Sequence, residues 1–459
     1  MDNYERIYDR LLRSEAACEI FSEKRQLQSM LDFEAALVQV EAELGLIPAS
    51  VVAPIRSCCL AETFDRNILM DGVAGSGNLA IPMVNLLTKA VHQISPDASG
   101  YVHWGATSQD VIDTGLVLQL RELLQLYERQ LTTFCEHLAR LALEHRHTVM
   151  PGRTWLQHAV PITFGLKAAG WLDALLRHRQ RLEQLTPRVL VLQFGGAAGT
   201  LASLGKQGSE ISTALAKELG IRASDVPWHS NRDRLVEVAT FSGLLMGTTG
   251  KIARDLALMG QTEIREVAEG SAPGRGGSST MPHKRNPVLA ASVLSSAIRV
   301  PGLVATMLAA MDQEHERGLG GWHAEWETLP EICTLTLGAV ERLAEMLDGL
   351  EIFPQAMERN LQETKGLLLA EAVSMAIAEK IGKAEAHSLM QEIVRSAVGA
   401  GVPLQSMVEA DERVMTHIDK EELTLLFRPE AYLGDTQKMI DNVIARYDRS
   451  KMLVEMQSD

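Results

Sequence analysis

A chain of 459 residues, 46% hydrophobic and 22% charged, is long enough to bury a sizeable core and too apolar to stay disordered. Its formal net charge of −15 argues against nucleic acid or an anionic membrane surface as a partner. Aromatics at 5%, beside abundant Ala, Leu and Glu, favour helices over sheets.

The N-terminal stretch MDNYERIYDR is charged and lacks an apolar segment, so no signal peptide is expected. From Ile20 to Leu46 apolar residues recur every three or four positions until Gly45 and Pro48, which predicts a long helix. Residues 111–145 repeat the pattern through Leu116, Leu120, Leu123, Tyr127, Leu131, Phe134, Leu138 and Leu141. Similar runs cover 160–186, 235–265, 288–312 and 330–348, the third of these interrupted by Pro301, which lacks a backbone donor. Arg188–Phe194, followed by Gly195 and Gly196, reads as a short hairpin strand. Beyond 350 shorter helices follow, with Asp419 and Glu422 as a capping box. The expected fold class is all-α: a long-helix domain over 111–350, between helical domains over 1–110 and 351–459. Five long helices with wide apolar faces need burial against other copies, so a homo-oligomer is expected. No stretch of about 18 apolar residues suggests a membrane span. Cys18, Cys58, Cys59, Cys135 and Cys333 form no CxxC pair and read as thiols of a cytoplasmic protein.

Gly270–Pro287 (GSAPGRGGSSTMPHKRNP) carries the strongest chemical signal. Its glycines are costly to order, and its second half is dense in donors: Ser278, Ser279, Thr280, His283, Lys284, Arg285 and Asn286. Asn286 followed by Pro287 suits an N-cap and first helical position, so the next helix would turn its free N–H groups toward the loop. A lid that closes over a small polyanion fits this better than a linker. There is no GxxxxGK[ST], and His315 and His323 lack metal-ligand spacing. His103-Trp-Gly-Ala-Thr-Ser-Gln-Asp110 and Gly152-Arg-Thr-Trp-Leu-Gln-His-Ala-Val-Pro161 are two further polar clusters. Thr107, Ser108 and Asp110 suit the cap of the helix near 111.

Gly277–Pro287 resembles the signature loop of the fumarase/aspartase superfamily, G-S-S-x-M-P-x-K-x-N-P. The resemblance implies that Ser278 acts as base and that Lys284 and Asn286 hold a substrate carboxylate. His103–Asp110 resembles the family's H-x-G-x-T-S-x-D segment, and Gly152–Pro161 its G-R-T-H-x-Q-x-A-x-P segment. Trp155 stands where the lyases carry a His, with His158 three residues on. Ile20–Pro48, Gly77–Pro82 and Gln313–Glu327 look like the carboxymuconate cycloisomerase branch. In Trp322-His-Ala-Glu-Trp326, Trp326 replaces an Arg that holds phosphate in adenylosuccinate lyases, while the two Trp also suit a core-packed face. The resemblance therefore implies a cofactor-free, metal-free isomerase for a small tricarboxylate. One substrate carboxylate would add across a double bond. Expected catalytic residues are Ser278, His103, His158 and Lys284. Expected substrate-binding residues are Thr107, Ser108, Arg153, Trp155, Gln157, His283, Asn286 and Arg317. A homotetramer with sites shared between subunits is the family's habit. The alternatives are an adenylosuccinate-type lyase and a non-catalytic structural relative.

Overall fold

The five apolar runs of the middle segment each become one long helix in the computed structural model, which describes residues 6–458 apart from 271, 273, 278, 279, 282 and 283. We label the elements used below α1 (Glu23–Glu43), α2 (Ser108–Glu144), β1 (Val149–Thr154), β2 (Gln157–Thr163), α3 (Phe164–Val189), α4 (Asp233–Met259), β3 (Val267–Ala268), α5 (Val288–Ala309), α6 (Gly321–Asp348) and β4 (Glu351–Ile352). The remaining described elements are short or C-terminal helices, so the all-α expectation holds. Along α2, Leu120, Leu123, Tyr127, Leu131, Phe134 and Leu138 are wholly buried, as their spacing requires. Each such side chain contributes roughly 1.5–3 kcal/mol by leaving water. Pro301 sits inside α5 and leaves one carbonyl of the preceding turn without its donor.

Two compact units emerge from the chain. The first comprises Met1–Leu131, His178–Gly250 and Ser292–Glu341. Its N-terminal core gathers Met30, Phe33 and Leu37 of α1 with Met83, Leu87 and Val91, and with Val111 and Leu118 of α2. The second comprises Thr132–Arg177, Lys251–Ala291 and Arg342–Asp459. It contains a core of Val373, Ile377, Ile393, Leu404, Val414 and Leu423. Asp419 caps the helix Lys420–Leu426, accepting from the Glu422 amide at 2.8 Å.

The strands differ from expectation. Arg188 and Val189 finish α3, because Pro187 is accommodated within that helix, and Val191 forms only an isolated bridge with Arg222. The hairpin lies instead at β1–β2, with Val149 opposite Thr163 and Arg153 opposite His158. A second, two-residue pairing joins β3 to β4. One helix, α5, approaches the length and apolarity of a membrane span, but Ser292, Ser295, Ser296, Arg299 and Thr306 interrupt it.

Candidate active site

In the first unit, the turn before α2 carries the His103–Asp110 cluster. His103 adopts a left-handed backbone, φ 58°, and Gly105 follows at φ 70°. A β-carbon on Gly105 would come within 2.3 Å of the Leu204 side chain, so only glycine fits. His103 is part-buried, and its Nδ1 lies 2.6 Å from Oε1 of Glu34, a carboxylate only 2% exposed on α1. Burial disfavours the imidazolium, but the Glu34 carboxylate and then Asp110 outweigh it and raise the His103 pKa above its ordinary value.

Thr107 precedes α2 and donates its amide to Asp110 Oδ2 at 3.0 Å, half of a capping box. Asp110 does much more than cap. Its buried carboxylate also accepts from the Gly195 and Gly196 amides at 2.9 and 2.8 Å and from Gln193 Nε2 at 3.2 Å, and His229 Nε2 lies 2.8 Å away. The carboxylate thus pins the 193–196 segment beside the Thr107 turn. Thr107 Oγ1 accepts instead from Arg317 Nη2 at 2.9 Å, and the same guanidinium donates to the Ala197 carbonyl. Ser108 opens α2 and is part-buried. The structure therefore brings Thr107 and Arg317 together, two residues 210 positions apart.

Directly behind this turn lies a network that sequence reasoning missed. The wholly buried Arg232 donates two bonds to Asp113, at 2.6 and 3.0 Å, and reaches Glu325 at 2.6 Å. Trp322 Nε1 donates to Asp113 at 3.1 Å, and Gln313 Nε2 to Glu325 at 3.1 Å. Burial raises the Glu325 pKa, and Arg232 acts against that shift. Trp326 packs edge-on against Trp322, ring centroids 5.0 Å apart, as the core-face reading expected.

In the second unit, Arg153 leaves β1 to meet Glu266 through both Nη atoms, at 2.8 and 2.6 Å. Glu266 is fully buried and also accepts from Asn360 at 2.9 Å. The fork of Arg153 is thus committed to an internal carboxylate. His158, opposite Arg153 in the ladder, has a lowered pKa, first through burial and then through the Arg153 charge. Trp155 and Leu156 form the two-residue turn at φ 52° and 64°, with Trp155 97% exposed. This is the primed turn that normally selects Asn-Gly. Gln157 is exposed beside it.

The glycine-rich loop starts and ends in the same unit, and its ends pinch together. Gly277 bridges Arg285, and the Asn286 amide donates to the Gly276 carbonyl at 2.8 Å. Arg285 is anchored by Glu351 at 3.0 Å. A pocket of about 190 Å³ lies at this base, lined by Glu269, Arg275, Lys284 and Asn286 among others. Lys284 is exposed and pairs with no carboxylate among the described residues. Ser278 and His283 lie outside the described residues. The expected Asn286 cap needs correction. The α5 amides of Leu289 and Ala290 are taken by the Glu269 carboxylate at 3.1 and 2.8 Å. Glu269, just after β3, reaches that positive end first, so an internal anion occupies the place foreseen for substrate. Burial raises the Glu269 pKa, while those amides oppose the rise.

Comparison with known proteins identifies the family. A family model described as Lyase matches residues 12–302, and one described as Adenylosuccinate lyase C-terminus matches 366–443. The chain is 52% identical to 3-carboxy-cis,cis-muconate cycloisomerase of Pseudomonas aeruginosa over 93% of each chain. It is 48% identical to the protein of that name from Bradyrhizobium diazoefficiens, covering 95% of this chain and 96% of the relative. The crystal structure of 3-carboxy-cis,cis-muconate lactonizing enzyme from Pseudomonas putida superposes with a TM-score of 0.92 at 47% identity, covering 97% of this chain and 99% of that one. With a lyase model spanning most of its length and such relatives along nearly all of it, the chain belongs to the lyase family of the fumarase/aspartase superfamily.

Proposed function

We propose that this protein is a cycloisomerase that closes 3-carboxy-cis,cis-muconate to 4-carboxymuconolactone. The observation that carries the reading is the set of four relatives of that name, 44–52% identical over at least 91% of the chain. The substrate supplies the nucleophile, and the protein, recharged from solvent, supplies one proton. A carboxylate oxygen adds to one carbon of a double bond. The electron pair moves toward the carbon beside another carboxylate, and that carbon takes a proton. The protein has to orient three carboxylates and stabilise the charge that builds up on one of them.

In this reading Lys284, Asn286 and the Thr107–Ser108 turn hold carboxylates, with Arg317 supporting Thr107. Arg153 anchors the hairpin through Glu266, which takes two of its five N–H donors and leaves the others for a ligand. Gln157 and Trp155 flank the substrate from the hairpin turn. Ser278, His283, His103 and His158 are the candidates for moving the proton. Trp326, packed on Trp322, puts no cation where an AMP phosphate would need one. The division near residues 110 and 350 belongs to the same proposal. So does a homotetramer with shared sites. The exposed Ile298 and Leu308 of α5 and Leu244 of α4 fit burial against another copy. A cytoplasmic location completes the reading.

The test is a paired assay. Purified protein should abolish the diene absorbance of 3-carboxy-cis,cis-muconate and release no fumarate from adenylosuccinate. The opposite pattern would replace this proposal with the lyase reading. Light scattering at the mass of four chains would support the tetramer, and a monomer would refute it.

A further inference from the structure

Among the histidines considered for proton transfer, His103 is set apart by its surroundings. His158 sits across a hairpin from a guanidinium, which disfavours a second positive charge. His103 faces a carboxylate instead. Glu34 is 2% exposed, stands on the long rigid helix α1, and meets Nδ1 at 2.6 Å. No described residue bonds to Nε2 of His103. The imidazole is also held by its own backbone, in a left-handed conformation that non-glycine residues rarely adopt.

We infer that Glu34 is a positioning residue for the reaction: it accepts a hydrogen bond from Nδ1–H of His103, fixes the ring, and leaves Nε2 as the nitrogen that exchanges a proton with substrate. The inference rests on the cycloisomerase reading above. As the new C–O bond forms, the Nε2–H proton passes to the carbon beside the substrate carboxylate. The imidazole is left neutral, still donating Nδ1–H to Glu34, and Nε2 regains its proton from solvent. The same nitrogen runs the reverse elimination as a base. The buried carboxylate keeps the tautomer fixed through both directions, as an orienting acid does for a histidine base.

Other charges around the pair are few. Asp110 of α2 acts on His103 in the same direction as Glu34. Glu41, one heptad along α1, and Cys59 both feel the Glu34 charge, though burial dominates their shifts. Asp110 has its own partners in the Gly195 and Gly196 amides, so Glu34 is the carboxylate committed to His103.

The test uses Glu34→Gln and Glu34→Asp in the intact protein. The first readout is deuterium exchange at the C2 position of the His103 ring, followed by mass spectrometry across pH. It gives the ring's titration midpoint without any substrate. The midpoint should fall in Glu34→Gln and fall by a smaller, still measurable amount in Glu34→Asp. The second readout is turnover of 3-carboxy-cis,cis-muconate. kcat should fall roughly 100-fold in Glu34→Gln, KM should stay within about twofold, and Glu34→Asp should recover much of the loss. The lower limb of the pH profile should move with the exchange midpoint. An unchanged midpoint with kcat within twofold of the parent would overturn the inference. If Glu34→Gln does not assemble, Glu34→Asp alone decides, since lengthening the bond must move the midpoint. A parent protein that leaves the substrate untouched would overturn the substrate reading, and the catalytic part of this inference with it. The exchange midpoint would then still decide whether Glu34 governs His103.

Discussion

Glu41 offers the sharpest physical test of the N-terminal core. It lies on α1, fully buried, and neither carboxyl oxygen has a hydrogen-bond partner among the described residues. Burial, and after it the Glu34 charge, pushes its pKa from 4.5 up to about 9. The folded protein therefore holds this proton at neutral pH, whereas the unfolded chain releases it near 4.5. Because the folded-state value is raised, the associated stability is fully present below pH 4.5 and is lost as pH climbs toward 9. Each pH unit in that window costs about 1.4 kcal/mol, so the cost at pH 7 is about 3 kcal/mol. Glu41→Met keeps a similar unbranched volume and removes the titration. Urea unfolding of parent and variant, at one protein concentration and at pH 5 and pH 8, reads the difference directly. The variant should gain on the parent by several kcal/mol from pH 5 to pH 8. An equal difference at both pH values would mean that Glu41 is already ionised in the folded chain, and the reasoning would fail.

Other consequences follow from the same structure. Arg232→Met leaves Asp113 and Glu325 buried without their cation, and should cost about 3–5 kcal/mol, read by chemical denaturation. Replacing Trp155 and Leu156 by Asn-Gly puts residues that tolerate the left-handed conformation at both turn positions. Amide exchange in β1 and β2 should slow while turnover falls; faster exchange would contradict the turn argument. Lys284→Ala should lower kcat/KM for 3-carboxy-cis,cis-muconate roughly 10- to 100-fold by removing one charged hydrogen bond, with the circular dichroism spectrum unchanged.

The long helices were legible because their apolar residues repeat every three or four positions, and that pattern needs no partner to be read. Leu120, Leu123 and Tyr127 are buried as the spacing requires. The β1–β2 hairpin was not legible as strands, because Pro151, Gly152 and Pro161 break the alternation that marks one. The β-branched look of Arg188–Phe194 misled for the opposite reason, since tertiary packing carried α3 on to Val189. The motif residues could be named in advance, but their partners could not. Thr107 meets Arg317, Arg153 meets Glu266 and His103 meets Glu34, across 210, 113 and 69 positions respectively. No local pattern signals such contacts. The Glu269 carboxylate at the start of α5 is the clearest case. The sequence promised an Asn286 cap, and a residue from before the loop took its place.

The central claim, a ring closure in which substrate supplies its own nucleophile, is tested most directly by running the reaction in D2O and taking the proton NMR spectrum and mass of the product. The account predicts a lactone isomeric with the substrate, carrying a single deuterium on the carbon beside a carboxylate. A product split into two molecules, or a lactone with no deuterium at that carbon, would contradict it.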